Sequence, residues 1–223
     1  NRGLWGITIG GQETLTSENS IPEEAWVLSA DAFSEPQEPS THTLEFSKGI
    51  PAKLDGKALP PVKLIEALED LAGSYGIGRG IHLGDTVLGT KGRVAFEAPA
   101  AITLITAHRE LEKLVLSQQQ MRIKDIVAHI YGDLVHEGKQ LDLVCADVEA
   151  LLASSQRRVS GKVKFTLRPG HLFIDGGESD YSLLAATKGV YGEAAGEWTP
   201  SDALGYARIL SLTGTLQTRA GGH

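Results

Sequence analysis

The sequence predicts an α+β fold, with central buried helices and antiparallel or mixed strands in hairpins. Three observations carry this expectation. Hairpin patterns lie near both ends of the chain, four helical periodicities run in series between them, and no strand-helix alternation of the doubly wound kind is present. With 223 residues, 41% of them apolar and 22% charged, the chain can bury one core, or at most two small ones.

Residues 1–42 read as an extended entry segment, because Pro22, Pro36 and Pro39 with acidic residues between them interrupt any periodicity. Residues 43–216 form the main domain. Leu44 and Phe46 alternate with polar residues, Ser47-Lys48-Gly49 turns the chain, Ile50 to Leu54 returns, and Asp55-Gly56 turns it again. Pro60 and Pro61 suit the first turn of a helix whose Val62, Ile65, Leu68 and Leu71 repeat at helical spacing as far as Gly73. Ile81 to Leu88 and Arg93 to Glu97 read as short strands. Pro99 opens a second helix ending near Leu116, apolar nearly all round in its first half and therefore expected at the buried centre. Ser117 and Gln120 form a capping box for a third helix carrying Ile123, Val127, Ile130 and Leu134, stopped by Gly138. Asp142 to Arg157 gives a fourth, with Val144, Val148, Leu151 and Leu152 on one stripe. Val163, Phe165 and Leu167 alternate up to Pro169-Gly170, and Leu172 to Ile174 returns as a hairpin. Thr199-Pro200-Ser201-Asp202 is a capped helix start leading into Leu204, Ala207 and Leu212, and residues 217–223 are expected to fray.

Charge and motifs exclude several functions. Lys and Arg number 21 against 28 Asp and Glu, and the net charge of −7 repels a phosphate backbone, so nucleic acid is not expected as a partner. The longest nearly apolar run, Ala98 to Ala107, is too short to span a bilayer, so no membrane is expected either. A single cysteine, Cys145, forms no intrachain disulfide, fits a reducing, cytoplasmic setting and reads as core. The opening on Asn1 reads as the middle of a longer chain. P-loop, nucleophile-elbow and H-E-x-x-H motifs are missing, and no two histidines sit at i, i+4 on one helix, so no metal site is expected. Gly76-Ile77-Gly78-Arg79-Gly80 follows a helix and precedes a strand, the reverse of a phosphate loop, and reads as a turn. His136 near a helix end suits the dipole. Lys91 and Arg93 beside Gly92 are the best local candidates for recognising a carboxylate or phosphate.

The order of several motifs along nearly the whole chain resembles the carboxy-terminal synthetase domain of the argininosuccinate synthase family. They are Leu4-Trp5-Gly6, Leu44-Glu45-Phe46-Ser47-Lys48-Gly49-Ile50-Pro51, Gly76-Ile77-Gly78-Arg79, Lys91-Gly92-Arg93 with Phe96-Glu97 and Pro99, Arg158-Val159-Ser160-Gly161-Lys162-Val163, Glu178-Ser179-Asp180-Tyr181-Ser182-Leu183, and Pro200-Ser201-Asp202-Ala203. On this resemblance residues 43–216 are the synthetase domain of a ligase that joins citrulline to aspartate, with ATP cleaved to AMP and pyrophosphate, in arginine biosynthesis. The resemblance places ATP and Mg mainly on the chain's own amino-terminal nucleotide-binding domain, so this stretch by itself is expected to be inactive. It also implies a homotetramer. The alternative is a non-catalytic binding or oligomerisation module derived from that domain.

The resemblance assigns three pocket positions to substrate binding. Thr8 keeps the hydroxyl of the family's serine, Gly84 stands where the family has the glutamate that faces the α-ammonium of citrulline, and Phe96 stands where it has the assisting tyrosine. An ammonium desolvated without its carboxylate costs about 3–5 kcal/mol. The domain is then a degenerate relative, or Asp85 replaces the glutamate, or the substrate lacks a free ammonium. The joint loss at Gly84 and Phe96 favours an N-acylated citrulline, an acidic acyl group of which is expected to meet Lys91 or Arg93.

Overall fold

The computed structural model describes residues 2–187 and 198–221. The chain divides into two units, Asn1–Ser182 and Leu183–His223. His223 and the glycines between 188 and 197, part of a stretch rich in turn residues, lie outside the described residues.

The first unit contains two antiparallel sheets. In the larger, β5 (Lys57–Ala58), β4 (Ile50–Leu54), β3 (Ser40–Ser47), β8 (Gly161–Arg168) and β9 (His171–Glu178) lie side by side in that order. Its tight turns follow from sequence: Lys48 and Gly49 both have positive φ, as do Asp55 and Gly56, so each pair forms the two-residue loop whose twist matches the flanking strands. Leu44 and Phe46 on β3 and Val163, Phe165 and Leu167 on β8 alternate inward and are buried.

Helices α1 (Pro61–Gly73) and α2 (Pro99–Val115) cover this sheet, α1 through Leu64, Ile65, Leu68 and Ala72, α2 through Ala100, Leu104, Ala107, Leu111 and Val115. The core sits between them and β3, β4 and β8. Burial of α2 is one-sided rather than all round, for Ile105 is 63% exposed and Ile102 is open beside it. Apolar composition alone did not set the number of buried faces: α1 and the sheet cover one side of α2, and Lys124 and Gln156 from later helices reach it at Glu112, while Ile102 and Ile105 are left open.

Helix α3 (Gln118–His136) begins at the Ser117–Gln120 capping box, and α4 (Leu143–Gln156) begins with the Asp142 carboxylate accepting from the Val144 amide. The α3 stripe expected to face a core stays half-exposed at Ile123 and Ile130. Polar contacts tie α3 down instead: Arg109 holds Asp125 bidentately at 2.8 and 2.9 Å, and Tyr131 donates to Glu149 at 2.7 Å. Beneath α3 the fully buried Glu112 accepts from Lys124 at 2.9 Å and from Gln156 at 2.7 Å, while His108 contacts Gln156 at 2.9 Å. Cys145 is buried as core.

In the second unit α5 (Leu183–Ala186) is one turn, and α6 (Pro200–Arg219) starts on a Thr199–Asp202 capping box. The helix runs three residues past Leu216, the point from which fraying was expected. Its backbone ladder continues through Ala220, whose amide donates to the Leu216 carbonyl at 2.9 Å. Among the described residues no helix is long and apolar enough to cross a membrane.

The Glu112 cluster has a pH signature. Burial pushes the His108 imidazole below its ordinary pKa, against the attraction of Glu112, while Lys124 adds repulsion. With a folded value depressed below the unfolded one, stability is full above about pH 6.5 and falls as pH drops toward the folded value. Urea midpoints are expected to fall between pH 7 and pH 5, and to fall less in His108→Gln; equal falls would show that His108 contributes nothing.

Candidate functional site

The smaller sheet carries all the sequence-derived candidates. Its strands are β1 (Arg2–Gly3), β2 (Gly6–Ile9), β7 (Lys91–Glu97) and β6 (Arg79–Asp85), in that spatial order. Within the entry segment the first residues are extended as two strands of this sheet, with Thr8 opposite Phe96, and short helical turns follow at Gln12–Leu15 and Glu23–Ala25. Short-range periodicity gave no hint of this, because β2 pairs only with a strand far away in sequence.

Register divides the candidates between two faces. Phe96 pairs with both Thr8 and Gly80, Val94 with His82, and Gly92 with Gly84, with no bulge in either pairing. Opposed residues point the same way and neighbours alternate, so Thr8, Phe96, His82 and Gly84 share one face, while Asp85, Lys91, Arg93, Glu97 and Arg79 belong to the other. The structure therefore brings Thr8, Gly84 and Phe96 to one surface and separates them from Asp85, Lys91 and Arg93. Asp85 does not stand where a Gly84 carboxylate would; it pairs with Lys91 at 2.6 Å. Arg93 donates to the carbonyls of Glu13 at 2.7 Å, Thr16 at 2.6 Å and Asn19 at 2.8 Å. Its guanidinium is spent on holding the chain that follows β2.

That same segment covers the second face around Arg79, Arg93 and Glu97, while Ile81 and Leu83 on the same face of β6 stay exposed. Glu97, fully buried, accepts the amides of Val27 at 2.7 Å, Leu28 at 2.9 Å and Ser29 at 2.9 Å, together with the Ser29 hydroxyl. Arg79 donates to the Ser29 hydroxyl and carbonyl and takes Glu23 bidentately at 2.7 and 2.8 Å, under the rings of Trp26 and Phe33. These bonds hold the Glu23 carboxyl below its ordinary pKa.

The first face stays accessible. Thr8 is exposed, and the Phe96 ring lies across Gly80, where an added Cβ would meet it at 2.4 Å. At Gly84 an added Cβ would stand 2.4 Å from Nε2 of His82, so an imidazole that sequence reasoning passed over fills the space above this glycine. The residues of β2, β6 and β7 on this face include no carboxylate.

A nucleotide and its metal do not fit the described residues. Gly76 and Gly78 have φ of 72° and 91°, and a Cβ on them would meet the Phe33 ring and the Pro99 backbone, each at 2.5 Å. These glycines let the turn between α1 and β6 pack against Phe33 and the start of α2, and make no phosphate cradle. Among the described residues no group of three or more His, Cys, Asp or Glu is placed to hold a metal ion.

Fold and site together define an α+β domain whose small sheet is covered on one face around Glu97 and open on the other. The family profile described as "Arginosuccinate synthase C-terminal domain" matches residues 1–217, and the chain belongs to that family. It is 40% identical over 219 residues to argininosuccinate synthase of Xanthomonas axonopodis pv. citri (strain 306), covering 97% of this chain and 52% of that protein. Argininosuccinate synthase of Dehalococcoides mccartyi is 36% identical over 97% of this chain and 53% of its own length, and that of Methanocaldococcus jannaschii 35% identical over 82% and 46%. The chain spans about half the length of these relatives.

Replacing Glu97 by Gln puts an amide nitrogen against backbone donors in a dry site. Glu97→Gln is expected to lower unfolding free energy by about 2–4 kcal/mol and to make residues 12–33 a preferred site of limited proteolysis. An unchanged urea midpoint with an unchanged cleavage pattern would contradict this role.

Proposed function

We propose that the chain supplies the citrulline side of an argininosuccinate synthase-like ligase, which joins citrulline or an N-acylated citrulline to aspartate as ATP is cleaved to AMP and pyrophosphate in arginine biosynthesis. ATP and magnesium are held by an amino-terminal nucleotide-binding domain of the same protein, which closes over the open face of the small sheet. A cytoplasmic homotetramer belongs to the same proposal. Family membership supports the reaction class.

The open face supports the substrate side. Thr8 offers a hydroxyl to the bound amino acid, Phe96 beside it offers an apolar ring, and no carboxylate on the strands of this face meets a free α-ammonium. A neutral amide nitrogen needs no such partner. The N-acylated form is accordingly the preferred substrate, with its acyl group at the Gly84 end of this face, beside the His82 ring.

The test is pyrophosphate release by the whole protein with ATP, magnesium and aspartate, comparing citrulline, N-acetyl-citrulline and N-succinyl-citrulline at equal concentration. An acylated form is expected to lead free citrulline in kcat/KM by about tenfold or more, the scale set by one unmatched charge. Free citrulline in the lead would overturn the substrate assignment and leave the reaction class standing.

A further inference from the structure

We propose that His82 and His136 form a carboxylate-binding site, which takes the acid end of a short aliphatic acyl group carried by the substrate. The inference rests on the open face being the substrate face. It names the acyl class and moves its recognition from Lys91 and Arg93 to two histidines.

A hollow of about 480 Å³ lies at the Gly84 end of this face, lined among others by His82, Gly84, Leu88, Gly92, Val94 and His136. Gly84 and Gly92 are directly paired and bring no side chains of their own, so the groups standing over them are the His82 ring and the Thr86 methyl. The His82 ring folds over Gly84, while His136, the last residue of α3, comes from a different element. Two exposed imidazoles therefore border one cavity.

Charge matching selects the ligand. Asp85 and Arg93 also border the hollow, but Asp85 is paired with Lys91 and Arg93 with three carbonyls; Glu137, next to His136, is paired with Lys139. Neither His82 nor His136 has a hydrogen bond or ion pair among the described residues. Each imidazole can donate an N–H and neither brings a carboxylate, so together they favour an anion and disfavour an ammonium. Two imidazoles are too few for a structural metal site. Val94, Val87 and Leu88 add alkyl surface, which suits methylenes leading to the charged end. The occupant that fits is the monoamide of a dicarboxylic acid, of the succinyl type. An acetyl group leaves both imidazoles unmatched.

Calorimetric binding of N-succinyl-citrulline, N-acetyl-citrulline and citrulline to the whole protein tests this, with His82→Ala and His136→Ala as separate variants; both side chains are exposed, so both variants fold. Each substitution is expected to weaken N-succinyl-citrulline binding about tenfold, the worth of one hydrogen bond to a charged group. N-acetyl-citrulline should stay within about twofold, since the hydrogen bond lost is one that it never makes. His82→Gln, which keeps an N–H donor, should recover part of the loss. Equal effects on both acylated ligands, or no effect on either, overturn the histidine site while acylated ligands still bind better than citrulline. Citrulline binding best to the wild-type protein overturns the substrate reading, and the histidine site with it.

Discussion

A carboxylate taken wholly out of water has to be met by donors, and Glu97 meets them on the backbone of Val27, Leu28 and Ser29. Three successive amides turned toward one side chain fix the path of the chain there. They also place the Ser29 hydroxyl and carbonyl where Arg79 reaches them, and Arg79 in turn anchors Glu23. One face of the small sheet is thereby covered around Glu97 and Arg79 by a segment with little regular structure of its own. Because Glu97 is followed within two residues by Pro99, the first residue of α2, the same contact joins the small sheet to the helix that runs through the main core.

Covering one face around Glu97 leaves the other accessible for the proposed substrate side. Register decides which residues fall there, and a shift of one residue would exchange Thr8, His82 and Phe96 for Ile7, Ile81 and Glu97. Glycine at positions 80, 84 and 92 keeps the surface low, so the rings of Phe96 and His82 lie flat on the strands. Glu112 repeats the buried-carboxylate solution between α2, α3 and α4, where Lys124 and Gln156 supply the donors that backbone amides supply to Glu97.

Local features of the fold were legible in the sequence. Lys48-Gly49 and Asp55-Gly56 set their turns through positive φ, Ser117 with Gln120 and Thr199 with Asp202 capped their helices, and alternation in β3 and β8 named the core strands. Long-range features were not. Pairing of β2 with β7 depends on a partner far along the chain, the exposure of Ile123 and Ile130 depends on what α3 lacks as a neighbour, and the sidedness of Asp85 against Gly84 depends on register. The acidic residue next to the vacant position looked like a replacement in sequence and points the opposite way in space. His82 carried no signal because a lone histidine on a strand is uninformative until its ring is seen over a glycine.

The account stands or falls on the clamp at Glu97, and hydrogen exchange of the Val27, Leu28 and Ser29 amides in the native protein reads it most directly. If the carboxylate holds these three amides, they exchange as slowly as the β7 amides, although they lie outside any strand or helix. Exchange at the rate of exposed loop amides would mean that Glu97 does not hold this segment over the sheet, and the division into a covered and an accessible face would fail.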